Sequence, residues 1–257
     1  MLAPGYQVVE HLRRGHRLDV YDVWSEERDC RCVAKALRPD RLDDRRARKA
    51  LLAEGRLLTS LAHPHIVRAF DLVVRPHPIV ILETLTGNTV AEMIRGTARR
   101  LALAELAWLG IHLCSAMHYL HGRGFLHLDL KPSNIIAEDG KGRVLDLSIA
   151  RPPGRGKKGV GTRQYMAPEQ ARGGMLTGAT DVWGIGAVLF EATAGRRPFS
   201  SNGEGPKYPQ LAHRADPIRA HRRVPPEFAQ AVDGCLDPDP RGRPALDELS
   251  EVLDSLV

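Results

Sequence analysis

The sequence predicts an α+β protein made of two lobes, a small β-rich N-terminal lobe with one helix and a larger, mainly helical C-terminal lobe. Two observations predict this division. Up to about residue 84, short runs rich in Val, Ile and Tyr have the pattern of strands. From Thr89 onward, the periodic segments are mostly helical. We therefore predict one domain over residues 1–257, with lobes at 1–85 and 86–257.

The predicted elements follow from local patterns along the chain. Strands of the first lobe are predicted at 6–12, 19–24, 30–37, 66–73 and 79–84. Leucines and alanines at helical spacing predict one helix between them, at 41–61. The second lobe has predicted helices at 103–121, at 182–194 and, after Pro244, at 245–256. The segment 182–194 is apolar nearly all round, which predicts a helix buried in the middle of its lobe.

The composition excludes several classes of protein. The chain has 257 residues, of which 43% are hydrophobic and 26% charged, and these values are typical of a globular protein and too apolar for disorder. The longest apolar runs are far shorter than the roughly 20 residues of a membrane-spanning helix. No secretory signal is visible, so we predict a cytoplasmic protein without a membrane span. The four cysteines form no spaced framework, which predicts reduced thiols.

The basic charge is spread along the chain. The 37 Lys and Arg exceed the 31 Asp and Glu, which gives a formal charge of +6, but bases and acids are interspersed as on a solvated surface. We therefore predict no nucleic-acid partner. The segment 151–163 is the exception, because it has five basic residues and no acid. It predicts either contact with an acidic protein partner or a solvated loop.

One segment combines the residues that phosphoryl transfer requires. His127-Leu-Asp-Leu-Lys-Pro-Ser-Asn134 is followed by Asp146-Leu-Ser148. These residues supply a base, a cation and two oxygen ligands for a hard metal ion. Here the sequence resembles the protein kinase superfamily, whose catalytic loop and metal-binding motif have this order and spacing.

The resemblance extends over almost the whole chain and is closest to the bacterial eukaryotic-like Ser/Thr kinases. Further motifs match in order: Val33-Ala-Lys35, Glu54, His63-Pro-His-Ile-Val67, Gly161-Thr-Arg-Gln-Tyr-Met-Ala-Pro-Glu169, Asp181-Val-Trp-Gly-Ile-Gly186 and Arg243. The resemblance implies a two-lobe protein-kinase fold and a Ser/Thr protein kinase that uses ATP with Mg²⁺ or Mn²⁺. Lys131 and the Tyr-Met-Ala-Pro-Glu stretch follow the Ser/Thr pattern.

The resemblance also implies roles for individual residues. Lys35 would hold the ATP phosphates and Glu54 would fix Lys35. Asp129 would accept or orient the proton of the acceptor hydroxyl, while Lys131 would stabilise the transferring group and Thr162 would bond near both. Asn134 and Asp146 would bind the metal. The remaining nucleotide contacts would come from Gly15 in the phosphate loop, Val20 and Val33 in the roof, Leu82 as gatekeeper, Glu83 and Leu85 in the hinge, and Ile136 in the floor.

Three further residues are predicted to have structural roles. Glu169 and Arg243 are expected to form a buried ion pair. Asp181 is expected to brace the catalytic loop, beneath which His127 packs.

The sequence departs from the family pattern at several positions. The glycine-rich loop keeps only Gly15, with Arg13 and Leu18 at the other glycine positions, so its contact with phosphates is expected to be weaker or different. The arginines of this loop either compensate for the weaker phosphate contact through their charge or are exposed to solvent. Val33 replaces a smaller residue and narrows the adenine slot. Ser148 replaces a glycine, which is expected to stiffen that turn.

Two departures concern regulation and substrate choice. Leu128 replaces the arginine that grips an activation-loop phosphate in many relatives, and residues 149–161 contain no Ser, Thr or Tyr. Activity is therefore expected not to depend on phosphorylation there. Ser133 replaces the acidic residue of relatives that select arginine upstream of the acceptor.

Two classes of function remain open. The retained charged residues favour an active kinase. The eroded glycine loop favours the alternative, a nucleotide-binding pseudokinase or regulatory module. Small-molecule phosphotransferases of the same fold are disfavoured, because they lack the Ala-Pro-Glu segment.

Overall fold

The chain folds into two compact units, Met1–Thr86 with Asp146–Ser148, and Gly87–Leu145 with Ile149–Val257. The computed structural model describes residues 2–96, 100–199 and 206–257. The first unit contains five strands and one helix, namely β1 (Tyr6–Arg14), β2 (Leu18–Ser25), β3 (Cys30–Leu37), α1 (Arg45–Thr59), β4 (Ala69–Val73) and β5 (Ile79–Glu83). The strands form one antiparallel sheet in the order β1-β2-β3-β5-β4.

The register of this sheet sorts its side chains onto two faces. Lys35 pairs with Val20, and Val33 pairs with Leu82. Because paired residues share a face and alternate residues of a strand share a face, these four side chains lie on one side of the sheet. The intervening β3 residues, Cys32, Ala34 and Ala36, are buried in a hydrophobic cluster on the other side.

Helix α1 begins later than the sequence pattern predicts. The side chain of Asp44 accepts hydrogen bonds from the backbone N–H groups of Arg46 and Ala47, which is a typical N-cap. Residues Pro39–Arg41 form a separate 3₁₀ turn. The predicted strand at 66–73 likewise begins only at Ala69, although Ile66 and Val67 are buried. Apolar periodicity shows which face is buried, but the cap decides where the helix begins.

The second unit is mainly helical, which confirms the predicted α+β class. Its elements are β6 (Asn88–Thr89), α2 (Val90–Gly96), α3 (Leu103–Gly122), β7 (Ile135–Glu138), β8 (Lys141–Val144), β9 (Gly154–Arg155), α4 (Pro168–Arg172), β10 (Met175–Leu176), α5 (Gly178–Ala194), α6 (Pro226–Cys235) and α7 (Leu246–Asp254). Strands β6-β7-β8 form one small sheet and β10-β9 another. These strands have two to four residues, too few to give a periodic signal in the sequence.

Helix α5 forms the core of the second unit. It packs against α3 and α6, and Trp183, Val188 and Phe190 are almost completely buried. Its apolar character on all sides predicted this position. Helix α3 packs against α5, α7 and β8. Within the described residues, no helix is both long enough and apolar enough to cross a bilayer.

The contact between α5 and α6 depends on a glycine. A Cβ atom added at Gly186 would overlap the Cβ atom of Cys235 on α6. We expect Gly186→Ala to lower the free energy of unfolding by about 1–3 kcal/mol, because packed helices must separate to accept the methyl group. Gly122→Ala is the matched control, since nothing lies within 4 Å of a Cβ atom there. Urea unfolding of both variants measures the difference, and equal midpoints would contradict this account.

Candidate active site

A lysine and two carboxylates form an ion cluster in the first unit. The Nζ atom of Lys35 on β3 lies 2.6 Å from Oε1 of Glu54 on α1 and 3.2 Å from Oδ1 of Asp146. The strand holds Lys35 in a central position of the sheet, and α1 packs against β3, β4 and β5. Three residues far apart in sequence thus converge on one ammonium group.

Burial and ion pairing have opposite effects on the pKa values of Lys35 and Glu54 in this cluster. Burial lowers the pKa of Lys35, but the charges of Glu54 and Asp146 outweigh it and raise that pKa above its ordinary value. Burial raises the pKa of Glu54, against the opposing effect of Lys35. Only 1% of the Glu54 side chain is exposed, and its Oε2 atom has no hydrogen-bond partner. An isolated buried carboxylate is costly, so the anion of Glu54 depends on Lys35.

A second cluster, in the second unit, surrounds Asp129. The Nζ atom of Lys131 donates to Oδ2 of Asp129 at 2.6 Å and to Oγ1 of Thr162 at 2.7 Å. The backbone N–H of Thr162 donates to Oδ1 of Asp129 at 2.8 Å. The Nδ2 atom of Asn134 donates to the Asp129 carbonyl at 3.0 Å and to its Oδ2 at 3.3 Å. These bonds fix the Asp129 carboxylate from three sides.

The loop that carries Asp129 is braced by a buried carboxylate. Asp181 on α5 accepts hydrogen bonds from the backbone N–H groups of His127 and Leu128, at 2.8 and 2.7 Å. Its Oδ2 atom also lies 2.8 Å from Nε2 of His121. Asp181 is 1% exposed. The predicted brace is therefore present, but the contribution of His121 was not predicted.

His127 lies beneath the loop as the sequence predicts. Its side chain is fully buried. Its Nδ1 atom accepts the backbone N–H of Asp129 at 3.2 Å, and its Nε2 atom lies 3.2 Å from the Leu145 carbonyl. Because Nδ1 accepts, the ring proton of the neutral form belongs on Nε2, which then donates to Leu145.

Leu128 has a backbone conformation that is rare for leucine. Its φ angle is +68°, and a non-glycine residue in the left-handed region costs about 1–3 kcal/mol. The Asp181 bond to its N–H and a bond from Nε2 of Gln170 to its carbonyl, 2.8 Å long, hold it there. The Leu128 side chain packs with Leu126 and Leu176. The Leu128 side chain is thus part of an apolar cluster, as a side chain without charge can be.

Two glutamines hold the segment that precedes α4. Gln170 donates from Nε2 to the carbonyls of Leu128 and Val160. Gln210 donates from Nε2 to the carbonyls of Arg163 and Met166, at 3.1 and 2.9 Å. Both side chains are buried. Sequence analysis missed these two residues, because a lone glutamine has no distinctive spacing.

The predicted phosphate loop is a tight hairpin between β1 and β2. The N–H of Gly15 donates to the Leu18 carbonyl at 2.8 Å, so this amide is already used within the turn. A Cβ atom at Gly15 would lie 2.7 Å from that carbonyl oxygen, which accounts for the glycine. Arg14 and Arg17 lie within ion-pair distance of Asp40 and Asp44, respectively. Their charges are therefore directed partly to this unit's own acids.

The remaining predicted nucleotide contacts lie in both units. Val20 and Val33 are half-buried on the Lys35 face of the sheet, and Leu82 on the same face is 7% exposed. The N–H of Glu83 donates to the Arg68 carbonyl. Leu85 follows in a segment without regular structure and is half-buried. Ile136 is a half-buried residue of β7 in the second unit.

The predicted ion pair between Glu169 and Arg243 is present and buried. Arg243 donates from both terminal nitrogens to the two carboxylate oxygens, at 2.8 and 2.9 Å. Arg243 also donates to the carbonyls of Ala179 and Asp237. Its guanidinium lies 5.1 Å from the centre of the Trp183 ring. The pair connects α4 to α5 and to the segment before α7.

Comparison with known proteins agrees with this arrangement. Residues 6–253 match the protein kinase domain family. This chain belongs to that family. The two-lobe protein-kinase fold that the sequence motifs implied is therefore confirmed.

Individual relatives are bacterial proteins named as serine/threonine-protein kinases. A probable serine/threonine-protein kinase of Streptomyces coelicolor is 28% identical over 92% of this chain and 37% of its own length. PkaA of the same organism is 32% identical over 85% of this chain and 42% of its own length. PknB of Mycolicibacterium smegmatis is 31% identical over 82% of this chain and 36% of its own length. The chain thus spans less than half the length of these relatives.

The buried ion pair makes a testable contribution to stability. We expect Glu169→Gln to lower the free energy of unfolding by about 3–5 kcal/mol, because it leaves the charge of Arg243 buried and uncompensated. Asp239→Asn is the matched control. It breaks the pair between Asp239 and Arg241, whose side chains are 48% and 90% exposed, and exposed pairs contribute little to stability. Chemical unfolding measures both variants, and equal losses would refute a special role for the buried pair.

Proposed function

We propose that this domain is a Ser/Thr protein kinase that transfers the γ-phosphate of ATP to Ser or Thr hydroxyls of proteins. The observation that carries the proposal is the hydrogen-bonded cluster of Asp129, Lys131, Asn134 and Thr162. It holds a carboxylate and an ammonium group in fixed positions. Phosphoryl transfer depends mainly on positioning and on charge stabilisation.

The proposed role of Asp129 is to orient the acceptor hydroxyl and take its proton. Its carboxylate has fixed hydrogen bonds to Lys131 and to the Thr162 backbone, so little reorganisation is needed when the hydroxyl arrives. Lys131 has three N–H donors, of which Asp129 and Thr162 take two. The third can donate to an oxygen of the transferring group. Thr162 thus has a positioning role, because it holds Lys131.

The first unit fits the proposed binding of nucleotide. Lys35 uses two of its three N–H donors for Glu54 and Asp146, which leaves one for a phosphate oxygen. Val20, Val33 and Leu82 form an apolar surface on the same face of the sheet, suitable for an adenine ring. The Gly15 amide is occupied within its hairpin, so the loop offers fewer backbone donors to phosphate than a glycine-rich loop.

The donor set also fits a divalent metal ion, for which we propose Mg²⁺ or Mn²⁺. Asp146 has a side chain that is 34% exposed, and the amide nitrogen of Asn134 donates to Asp129, so its amide oxygen is left as a ligand. Among the described residues, no cluster of three or more His, Cys, Asp or Glu could hold a metal alone. One or two protein oxygens together with substrate phosphates are typical of Mg²⁺ sites. When bound, the ion would neutralise charge on the phosphates.

The alternative function is a nucleotide-binding pseudokinase. The occupied Gly15 amide favours it, whereas the fully connected cluster around Asp129 favours catalysis. A pseudokinase would bind ATP without transferring phosphate. The two functions therefore differ in a direct transfer assay.

The exposed cations of the segment 151–163 support a proposed contact with an acidic protein partner. Arg155, Lys157, Lys158 and Arg163 are exposed. None of them forms an ion pair with another residue in the described part of the chain. Such a contact should weaken as salt is added, because exposed charges are screened.

The transfer assay uses the purified domain, labelled ATP, Mg²⁺ or Mn²⁺ and a generic protein substrate. We expect Lys35→Met, Asp129→Asn and Asp146→Asn each to lower the rate by about 100-fold or more, because positioning and charge stabilisation supply most of the rate enhancement. Asp254→Asn, at an exposed end of α7, is the control and should match the wild type.

Two results would count against this proposal. Equal rates for wild type and Asp129→Asn would exclude catalysis through this loop. A melting temperature that rises with ATP, without any transfer to protein, would favour the pseudokinase.

The hydrogen bonds that hold residues 160–166 predict an activity that does not depend on phosphorylation between Asp146 and Glu169. Gln170 and Gln210 already fix the backbone at residues 160–166 with neutral hydrogen bonds. We expect phosphatase-treated protein to keep its full rate. Gln170→Met, of similar size but without the donor, should reduce the rate by about tenfold through loss of the bond to Leu128. Mass spectrometry locates any phosphate, and an activity loss traced to one between Asp146 and Glu169 would overturn the prediction.

A further inference from the structure

In a groove of the second unit, beside Lys131 and Thr162, the charged lining residues are mainly cations. The volume of the groove is about 560 Å³. The charged residues that line it are four cations and one acid, Arg95, Lys131, Arg196, Arg197 and Glu191. Ala91 and Ile94 of α2 supply part of its apolar surface.

We propose that this groove selects protein substrates with an anionic side chain close to the acceptor Ser or Thr. The inference rests on the proposed kinase function and names the substrate class of the same site. The anion is a carboxylate of Asp or Glu, or a phosphate already present on the substrate.

The single acid of the groove is already paired. Tyr165 donates its hydroxyl hydrogen to Oε2 of Glu191 at 2.6 Å. The Nε atom of Arg197 lies 3.8 Å from Oε1 of Glu191 and donates to the Tyr165 hydroxyl at 3.2 Å. Only 14% of the Glu191 side chain is exposed. Glu191 is therefore poorly placed to attract a positive residue of a substrate.

Two arginines of the groove have no acid within ion-pair distance. Arg95 and Arg196 are exposed, and neither forms an ion pair within 4 Å with another residue in the ranges that the structure describes. At longer range, the charge of Arg95 also stabilises the ionised carboxylates of Glu92 and Glu191. A guanidinium presents a planar fork of N–H donors that matches a carboxylate or a phosphate. These two side chains are the ones we expect to bind the substrate anion.

The groove lies close to the reacting group. Lys131 and Thr162 line the groove and also bond to Asp129, through the Lys131 ammonium and the Thr162 backbone. A substrate hydroxyl at Asp129 therefore places neighbouring residues of the substrate over the groove. An extended chain advances about 3.3–3.6 Å per residue, so the anion should lie within about five residues of the acceptor.

Ser133 gives the groove its selectivity against basic substrates. It lines the groove and carries no charge, so an arginine of the substrate finds no unpaired acid there. The cations of 151–163 are not among the residues that line this groove. The preference thus comes from α2 and from the end of α5, which the sequence had not indicated.

The two arginines also have an ordinary structural explanation. Arg95 lies in the last turn of α2, and Arg196 follows Gly195, the C-cap of α5. Cations at helix C-termini stabilise helices. That role predicts a change in melting temperature when the arginines are replaced, but it predicts no change in peptide preference.

A peptide series tests the proposal. Peptides with one Ser acceptor carry a single Glu, walked from five residues before the acceptor to five after it, with Gln at the same position as the reference. We expect Glu to raise kcat/KM about five- to tenfold over Gln at one or two adjacent positions, through KM. Phosphoserine at that position, compared with Glu, distinguishes the two sources of the anion.

Variants link this preference to the groove. Arg95→Gln with Arg196→Gln should make Glu and Gln peptides equivalent, and Arg196→Glu should favour Lys over Glu at the same position. Arg219→Gln, an exposed arginine outside the groove, should keep the wild-type preference. A preference that survives in the double variant would overturn the proposal.

A binding measurement separates this inference from the kinase proposal. A fluorescent Glu-containing peptide with Ala at the acceptor position should bind the wild type more tightly than the double variant, and added salt should weaken the difference. Transfer to all peptides without a Glu preference overturns the groove proposal alone. Absence of transfer, with binding that depends on the arginines, overturns the kinase proposal alone. Equal binding by both proteins overturns the groove proposal whatever the transfer assay gives.

Discussion

The buried carboxylate of Asp181 is the constraint on which the active-site geometry of the second unit depends. It accepts two backbone N–H groups of the catalytic loop and contacts His121. These bonds hold Leu128 at a φ angle that leucine rarely adopts. The neighbouring Asp129 is thereby presented to Lys131, Asn134 and Thr162. A side chain of the central helix thus determines where the Asp129 carboxylate lies.

Neutral hydrogen bonds hold the segment before α4. The Leu128 side chain is buried in an apolar cluster, and the amides of Gln170 and Gln210 donate to backbone carbonyls. Amide bonds of this kind do not depend on a modifying enzyme. The exposed Arg95 and Arg196 line the groove beside Lys131, where we propose that a substrate anion binds.

In the first unit, the buried ion pair between Lys35 and Glu54 connects the sheet to helix α1. Lys35 lies on a sheet face with Val20, Val33 and Leu82, and Glu54 approaches from α1. The pairing outweighs the burial of Lys35, whereas burial still raises the pKa of Glu54. The apolar face and the anchored ammonium together form a surface suited to an aromatic ring with phosphates, although the Gly15 hairpin offers few free amides.

The sequence by itself determined the fold class and the family, and it predicted the charged residues that the structure clusters around Lys35 and Asp129, because these depend on periodicity and on short motifs with fixed spacing. Helix α5 and the Glu169–Arg243 pair are examples. The tertiary structure alone showed the contacts of His121, Gln170 and Gln210 with segments distant in sequence. It alone brought Arg95 and Arg196 into one groove. None of these residues has a local pattern. Burial and ion pairing arise only when the chain is folded, and they determine whether a charged side chain already has a partner or can bind another molecule.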